Sequence, residues 1–216
     1  SETLNIACHV FKDHVLHAEN EVLTKGSGAP YRVFTPYSRA WLQLDKDPVL
    51  PAPDRIRLPA GIDLGALPKL EDWGLPAPRG EYLEAGEKAA RARLRHAVTS
   101  VVPTYKETRN TPMGNTTSRL SQDLRFGTLS IRTIFHRVEP LTRHPSVTTQ
   151  EGARTFISEL AWREFYMAIL THFPDVLEHE FNSDWRGLLW FQANESFDAW
   201  KLGKTGFPIV DAGMRE

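Results

Sequence analysis

The stretch Glu151-Gly-Ala-Arg-Thr-Phe-Ile-Ser-Glu-Leu-Ala-Trp-Arg-Glu-Phe-Tyr-Met-Ala-Ile-Leu-Thr-His172 decides how this sequence is read. Ile157, Leu160, Ala161, Phe165, Ala168 and Ile169 recur at three- and four-residue spacing, the period of one buried helix face. Thr148, followed three residues later by Glu151, has the form of a capping box, and Pro174 closes the pattern. A helix over about 151–172 is therefore predicted. On its other broad face lie Phe156, Glu159, Trp162, Arg163 and Tyr166, aromatics mixed with a carboxylate and a guanidinium. One reading makes Glu159 and Arg163 an i, i+4 ion pair worth about 0.3–0.5 kcal/mol, with the aromatics as packing. The other makes the face a site for a planar ligand, with rings that stack and a carboxylate that accepts hydrogen bonds.

Downstream, a helical pair near 195–202 and 208–216 flanks the turn Gly203-Lys204-Thr205-Gly206. Upstream, Ser121–Phe126 and Ile131–Val138 read as short helices separated by Gly127, and 104–118 reads as a loop. A helical pattern starts near residue 82, carries Leu94, Ala97, Val98 and Val101 on one face, and ends at Pro103. Residues 48–80 hold seven prolines and four glycines, which removes backbone donors and disfavours helix, so they form an extended connector. Before it, Ile6–Phe11 and Tyr31–Phe34 read as short strands around the turn-forming Lys25–Pro30. Helix resumes after Pro36. The expected fold class is an incomplete α/β portion (1–47), a linker (48–81) and an incomplete all-α domain (82–216).

Hydrophobic residues make up 41% and charged residues 25%, ordinary values for a chain with a packed core. No apolar run approaches the roughly 20 residues that cross a bilayer, and no leader pattern opens the chain. Cys8 is the only cysteine, which excludes an internal disulfide framework and suits a reducing cytoplasm. Starting without methionine and stopping inside a helix-like stretch, the sequence is expected to be part of a longer one. Net charge is −1, yet residues 88–143 carry 11 basic and 3 acidic side chains, or +8, between flanks of −4 and −5. Such a block suits either a phosphate backbone or a solvated helical surface.

Thr116-Thr117-Ser118-Arg119-Leu120-Ser121 places four hydroxyls and an arginine at a helix entrance, where unpaired N–H groups favour anions. A phosphate or pyrophosphate fits there; simple capping by Thr117 or Ser118 is the plainer alternative. The eight histidines form no ligand cluster, and no metal site is expected. Nucleophile triads, P-loops and dinucleotide fingerprints are absent from the sequence.

Together these segments resemble the DNA photolyase/cryptochrome family, most of all its class I cyclobutane pyrimidine dimer photolyases. The resemblance rests on Tyr31-Arg-Val-Phe-Thr-Pro-Tyr37, Thr117-Ser-Arg-Leu-Ser121 with Leu124-Arg-Phe-Gly-Thr-Leu-Ser130, Glu159-Leu-Ala-Trp-Arg-Glu-Phe-Tyr166, and Ala199-Trp-Lys-Leu-Gly-Lys-Thr-Gly-Phe-Pro-Ile-Val-Asp-Ala-Gly-Met-Arg215. It implies a Rossmann-like antenna domain ending near residue 47 and a helical domain that holds FAD. By the same resemblance Tyr105, Thr117, Ser118, Arg119, Leu120, Ser121, Phe156 and Arg163 contact the flavin. Arg109 contacts DNA phosphate, Glu159 hydrogen-bonds the damaged pyrimidines, and Trp162 packs on them. The implied activity is light-driven splitting of pyrimidine dimers in UV-damaged DNA by electron transfer from reduced FAD, in a monomer without an obligate protein partner. A cryptochrome photoreceptor and a six-four photoproduct photolyase share the pattern. A helical nucleic-acid-binding module without flavin is the reading outside the family. An antenna chromophore of folate or flavin type is implied, although Ser38 stands where some folate-using members carry lysine. Lacking the family's second half of the flavin site, the segment alone is expected to bind FAD poorly and to be inactive.

Overall fold

The long helix runs over Val147–His172 (α6), within the first of two compact units, residues 1–172. The computed structural model describes residues 7–9, 11–58, 60–63, 65–76, 82–111, 114 and 116–215. Ser146 sits just before α6 and its Oγ accepts the Thr149 N–H at 3.4 Å, so the cap lies two residues before the expected Thr148. Buried on α6 are the predicted stripe of Ile157, Leu160, Ala161, Phe165, Ala168 and Ile169, with Ala153 toward the N-terminus and with Phe156, which the sequence placed on the other face. Burial of each large member stabilises the fold by about 1.5–3 kcal/mol.

Two helices from the middle of the chain match their predicted spans, α4 (Ser121–Phe126) and α5 (Ile131–Val138). Gly127 ends α4 in the left-handed region, and the Ser130 Oγ caps α5 by accepting the Arg132 N–H at 3.2 Å. Ile131, Ile134 and Val138 are almost fully buried. α2 (Glu87–His96) does not simply stop at Pro103. It loosens into a π turn over Ala97–Val101 and a tight 3-10 turn over Val102–Thr104, then resumes as α3 (Tyr105–Thr108) inside the expected loop. Proline at 103 cannot donate to the preceding turn, so the helix changes pitch there and redirects α3.

Close approach of this redirected segment to α6 depends on Gly152. A Cβ built there would stand 2.0 Å from the Val102 carbonyl oxygen. Only a residue without a side chain lets the two backbones lie so near.

The N-terminal reading needs correction. α1 (Phe34–Gln43) is present, but no strand occurs among the described residues. Ile6 and Val10 of the first expected strand lie outside them, and Ala7–His9, Phe11 and Tyr31–Val33 are irregular. A single antiparallel bridge joins Leu23 to Pro30. A strand needs a neighbour to satisfy its ladder, and no ladder forms at either segment among the described residues; just beyond the first, helical side chains bond the chain's carbonyls. Arg132 donates to the Lys12 carbonyl at 2.9 Å and Arg163 to the His14 carbonyl at 2.7 Å. The His172 ring nitrogen lies 3.0 Å from the Glu19 carbonyl. Residues 12–19 are thus fastened to the helices as a strap.

Residues 173–216 form a second unit with α7 (Glu195–Lys201) and α8 (Pro208–Arg215). Buried Asp211 organises its turn, accepting Thr205 N–H at 2.7 Å, Thr205 Oγ1 at 2.6 Å and Gly206 N–H at 3.0 Å. Those bonds hold the Asp211 carboxyl below the usual carboxylate range.

Candidate functional site

Of the residues singled out in the sequence, the structure brings four together where α3 crosses α6. Tyr105 and Arg109 come from α3 and its end, Phe156 and Glu159 from α6. The Tyr105 and Phe156 rings meet edge to face with centroids 5.2 Å apart. Glu159 is paired with the Arg109 guanidinium, which also lies 5.5 Å from the Tyr105 ring centre. Fifty residues separate the two charges in sequence, so the i, i+4 pairing of Glu159 with Arg163 does not form. The bond to Glu159 raises the Arg109 pKa, while burial and then the Glu159 charge push the Tyr105 hydroxyl up. Both charged side chains remain about one-third exposed, within reach of a ligand from solvent.

A second cluster holds the hydroxyl segment. Thr117, Arg119 and Ser121 line a cavity of about 370 Å³ with Tyr82, Leu83 and Gln122. Arg119 has φ +52°, the one non-glycine residue with positive φ among those described, and a left-handed arginine is a strained conformation. Its carbonyl accepts the Gln122 side-chain N–H at 2.7 Å. Leu120 points the other way and is buried, and Ser118 is half-buried. α4 is fixed to α2 by a two-pronged ion pair, Arg93 Nε to Asp123 Oδ2 at 2.9 Å and Nη2 to Oδ1 at 2.7 Å. Burial alone would raise the Asp123 carboxyl; the Arg93 and Thr128 bonds hold it below its ordinary range. Hydroxyls with a guanidinium on an open cavity are the donor set that phosphate oxygens need, so these residues fit the phosphate end of a nucleotide cofactor.

Trp162 and Arg163 stand outside this group of four and have other partners. Trp162 is stacked on Phe34 of α1, centroids 3.5 Å apart and planes within 9°, with Tyr166 5.5 Å away on α6. Arg163 turns to the strap carbonyl of His14.

Glu164 was not singled out at all. It is 2% exposed, and its carboxylate accepts the Leu16 N–H, the His17 N–H at 3.1 Å and the Trp41 indole N–H at 2.6 Å. The signal was available: position 164 falls four after Leu160 and four before Ala168, so a charge interrupts the apolar stripe. Beside it, buried His17 has its pKa lowered to about 4, chiefly by burial and then by the Lys46 charge.

No helix among the described residues is long and apolar enough to cross a membrane. Comparison with known proteins agrees with the residue patterns. The family model described as DNA photolyase matches residues 1–54, and the FAD binding domain of DNA photolyase matches residues 156–216. The chain is 34% identical to the deoxyribodipyrimidine photo-lyase of Halobacterium salinarum, covering 100% of the chain and 46% of that protein. It is 34% identical to the Escherichia coli photo-lyase over 98% of the chain and 45% of the relative. A bacterial class III photolyase from Agrobacterium tumefaciens superposes with a TM-score of 0.75 at 32% identity, over 95% of this chain and 43% of that one. A Synechocystis cryptochrome shares the fold with a TM-score of 0.68 at 24% identity, over 94% and 43% of the two chains. The chain thus spans about half the length of the curated relatives it matches. From the matched motifs, the two family models and the shared fold, the chain belongs to the DNA photolyase/cryptochrome family.

Proposed function

We propose that this chain is the part of a class I-type cyclobutane pyrimidine dimer photolyase that carries the lesion-binding carboxylate and the phosphate end of the FAD site. The observation that carries the reading is the partly exposed Arg109–Glu159 pair standing beside the Tyr105–Phe156 rings. In this reading Thr117, Ser118, Arg119, Leu120 and Ser121 hold the FAD phosphates, by hydroxyls and guanidinium in the 370 Å³ cavity and by the buried Leu120 that anchors the turn. Tyr105 and Phe156 form an aromatic wall for the cofactor, and Arg163 supports the same stretch from behind. Reduced FAD, when bound, supplies the electron on excitation by blue light.

The protein's own part is binding and orientation. Arg109 meets a DNA phosphate, and its +8 surroundings (residues 88–143) draw the duplex in. Glu159 accepts hydrogen bonds from the pyrimidine edge of a lesion turned out of the stack, which costs less to extrude than an intact pair. The N–H bonds that the Glu159 carboxylate accepts are charge-assisted, so they hold the lesion's bases in place without a proton transfer. Trp162 offers an apolar surface to the same bases.

The domain division that goes with this reading is the end of an antenna domain over 1–47, a linker over 48–81 and the flavin- and DNA-binding domain from 82. The match of residues 1–54 to the photolyase model supports the first of these. The protein is read as a cytoplasmic monomer with a second chromophore of folate or flavin type.

The test is blue-light-dependent repair of a thymine-dimer oligonucleotide, with a dark control, by a polypeptide of the relatives' length that carries this chain. Loss of dimers only in the light supports the proposal. A flavin-loaded protein without repair overturns it in favour of cryptochrome signalling or the six-four lesion. Salt-sensitive binding of undamaged DNA with no light effect indicates a nucleic-acid module instead.

A further inference from the structure

A buried carboxylate needs a reason, because the same position filled by an apolar side chain would avoid the desolvation of Glu164. Its three partners supply one. Leu16 and His17 N–H groups belong to the strap, and the Trp41 indole N–H belongs to α1. A carboxylate offers two oxygens and about four lone pairs, so it can take three donors at once; an amide offers one oxygen and brings donors of its own. Glu164 is therefore suited to tie two separate segments to α6, and no neutral side chain of its size does the same.

The other end of α1 shows what this tie controls. Phe34, Tyr37 and Trp41 are spaced i, i+3, i+7 and share one face of α1. Each meets α6: Trp41 through Glu164, Tyr37 through Phe165 with centroids 5.1 Å apart, and Phe34 through its stack on Trp162. Phe34 and Trp41 stand about 10 Å apart along α1, so fixing one end limits the swing of the other. Phe34 lies flat on the Trp162 ring and so sets its plane.

We propose that Glu164 is a positioning residue for Trp162, acting through Trp41 and α1 to hold the Phe34–Trp162 stack. Trp162 is then not free to choose its rotamer by local packing; its plane is dictated from the far end of a second helix. The consequence for lesion binding rests on the function proposed above, while the mechanical link does not.

The test separates the two. The chain is labelled with 5-fluorotryptophan, and the Trp162 resonance is assigned by its disappearance in Trp162→Phe. Glu164→Gln and Trp41→Phe are then compared with the unsubstituted chain. Trp41→Phe keeps a buried six-membered ring and deletes the pyrrole half of the indole with its N–H, so its reading stands even where Glu164→Gln fails to fold. The expected result is a shifted and broadened Trp162 resonance in Trp41→Phe, with the Trp200 resonance of the second unit unchanged. An unmoved Trp162 resonance in Trp41→Phe, with native far-UV circular dichroism, overturns the proposal. In a polypeptide of the relatives' length, Trp41→Phe should weaken binding of a thymine-dimer oligonucleotide by about tenfold and leave undamaged DNA unaffected, the size expected when a stacking aromatic is misplaced. If the unsubstituted protein does not discriminate the lesion at all, the functional reading fails and the resonance result still decides the link.

Discussion

Glu159 and Glu164 stand five residues apart on one helix and are held in opposite ways. Glu159 is about one-third exposed and faces a single cation, Arg109, whose own side chain reaches solvent. Glu164 is buried, has no cation within ion-pair distance among the described residues, and is held by three neutral N–H donors from two segments. An exposed pair exchanges partners at little cost, because its net contribution is about 0–1 kcal/mol. A buried carboxylate bonded to backbone has no such freedom. The first arrangement suits a group that must meet a ligand, the second a group that must not move. Burial pushes the Glu164 carboxyl up, while the Trp41, Leu16 and His17 donors pull the other way.

Glu164→Ala should break this contrast most sharply. It strands three buried N–H donors and opens a void, so we expect a loss of more than about 3 kcal/mol by urea unfolding. Glu159→Ala should change stability by less than about 1 kcal/mol. Comparable losses for the two would mean that the difference in burial does not set the energetic difference between these carboxylates.

Gly152→Ala tests the other approach to α6. The added Cβ would lie 2.0 Å from a backbone carbonyl that no rotamer change can move aside. We expect a loss of about 3 kcal/mol, at the upper end of overpacking costs, and a displaced Tyr105. Thermal unfolding measures the first, and the Tyr105–Phe156 ring contact by nuclear Overhauser effect the second. A variant as stable as the parent would show that α3 can rest further from α6.

How much of this was legible in the sequence depends on how local each signal is. α4, α5 and most of α6 follow from apolar period and from Gly127 and Pro174, all within a few residues of the element they define. The strands expected at 6–11 and 31–34 depended on partners that lie outside any local window, and so did the strap at 12–19, which α5 and α6 bond through side chains far along the chain. Pro103 signalled a break correctly, yet the sequence did not show that helix resumes two residues later with Tyr105 at its start. The Thr117–Ser121 hydroxyls were visible as a group because they are contiguous. The Arg109–Glu159 pair was visible only as two residues, since nothing in either neighbourhood names the other. Glu164 could have been found as the charged interruption of an apolar stripe, but periodicity counts reward the apolar members and pass over the exception.

The strap adds a pH dependence on the buried side of the comparison. His17 titrates near 4 in the fold and near 6.5 in the unfolded chain, because burial penalises its charged form. Its contribution is therefore fully present above pH 6.5 and is lost as pH falls toward 4, where the unfolded chain takes up a proton that the folded one refuses. We expect a loss on the order of 2 kcal/mol across that window, after allowing for relaxation around the ring. His17→Gln should flatten the profile, as read by urea midpoints at several pH values. An unchanged slope in that variant would assign the acid lability to the carboxylates instead.

The smallest effect on stability belongs to the exposed side, and there it is function that should respond. Arg109→Lys keeps the charge beside Glu159 but loses the planar guanidinium and its stack near the Tyr105 ring. Stability should stay within about 0.5 kcal/mol of the parent, as for other surface substitutions. Glu159→Gln should likewise fold normally, yet it removes the charge that a lesion's N–H groups would meet, and light-dependent repair should fall while flavin content is retained. The two substitutions separate the partners of the pair. If Arg109 meets DNA phosphate, Arg109→Lys weakens binding of damaged and undamaged duplexes alike, whereas Glu159→Gln acts on damaged DNA alone. A parallel loss on both DNAs from Glu159→Gln would mean that Glu159 serves only to hold Arg109, and the lesion contact would then have to come from another residue.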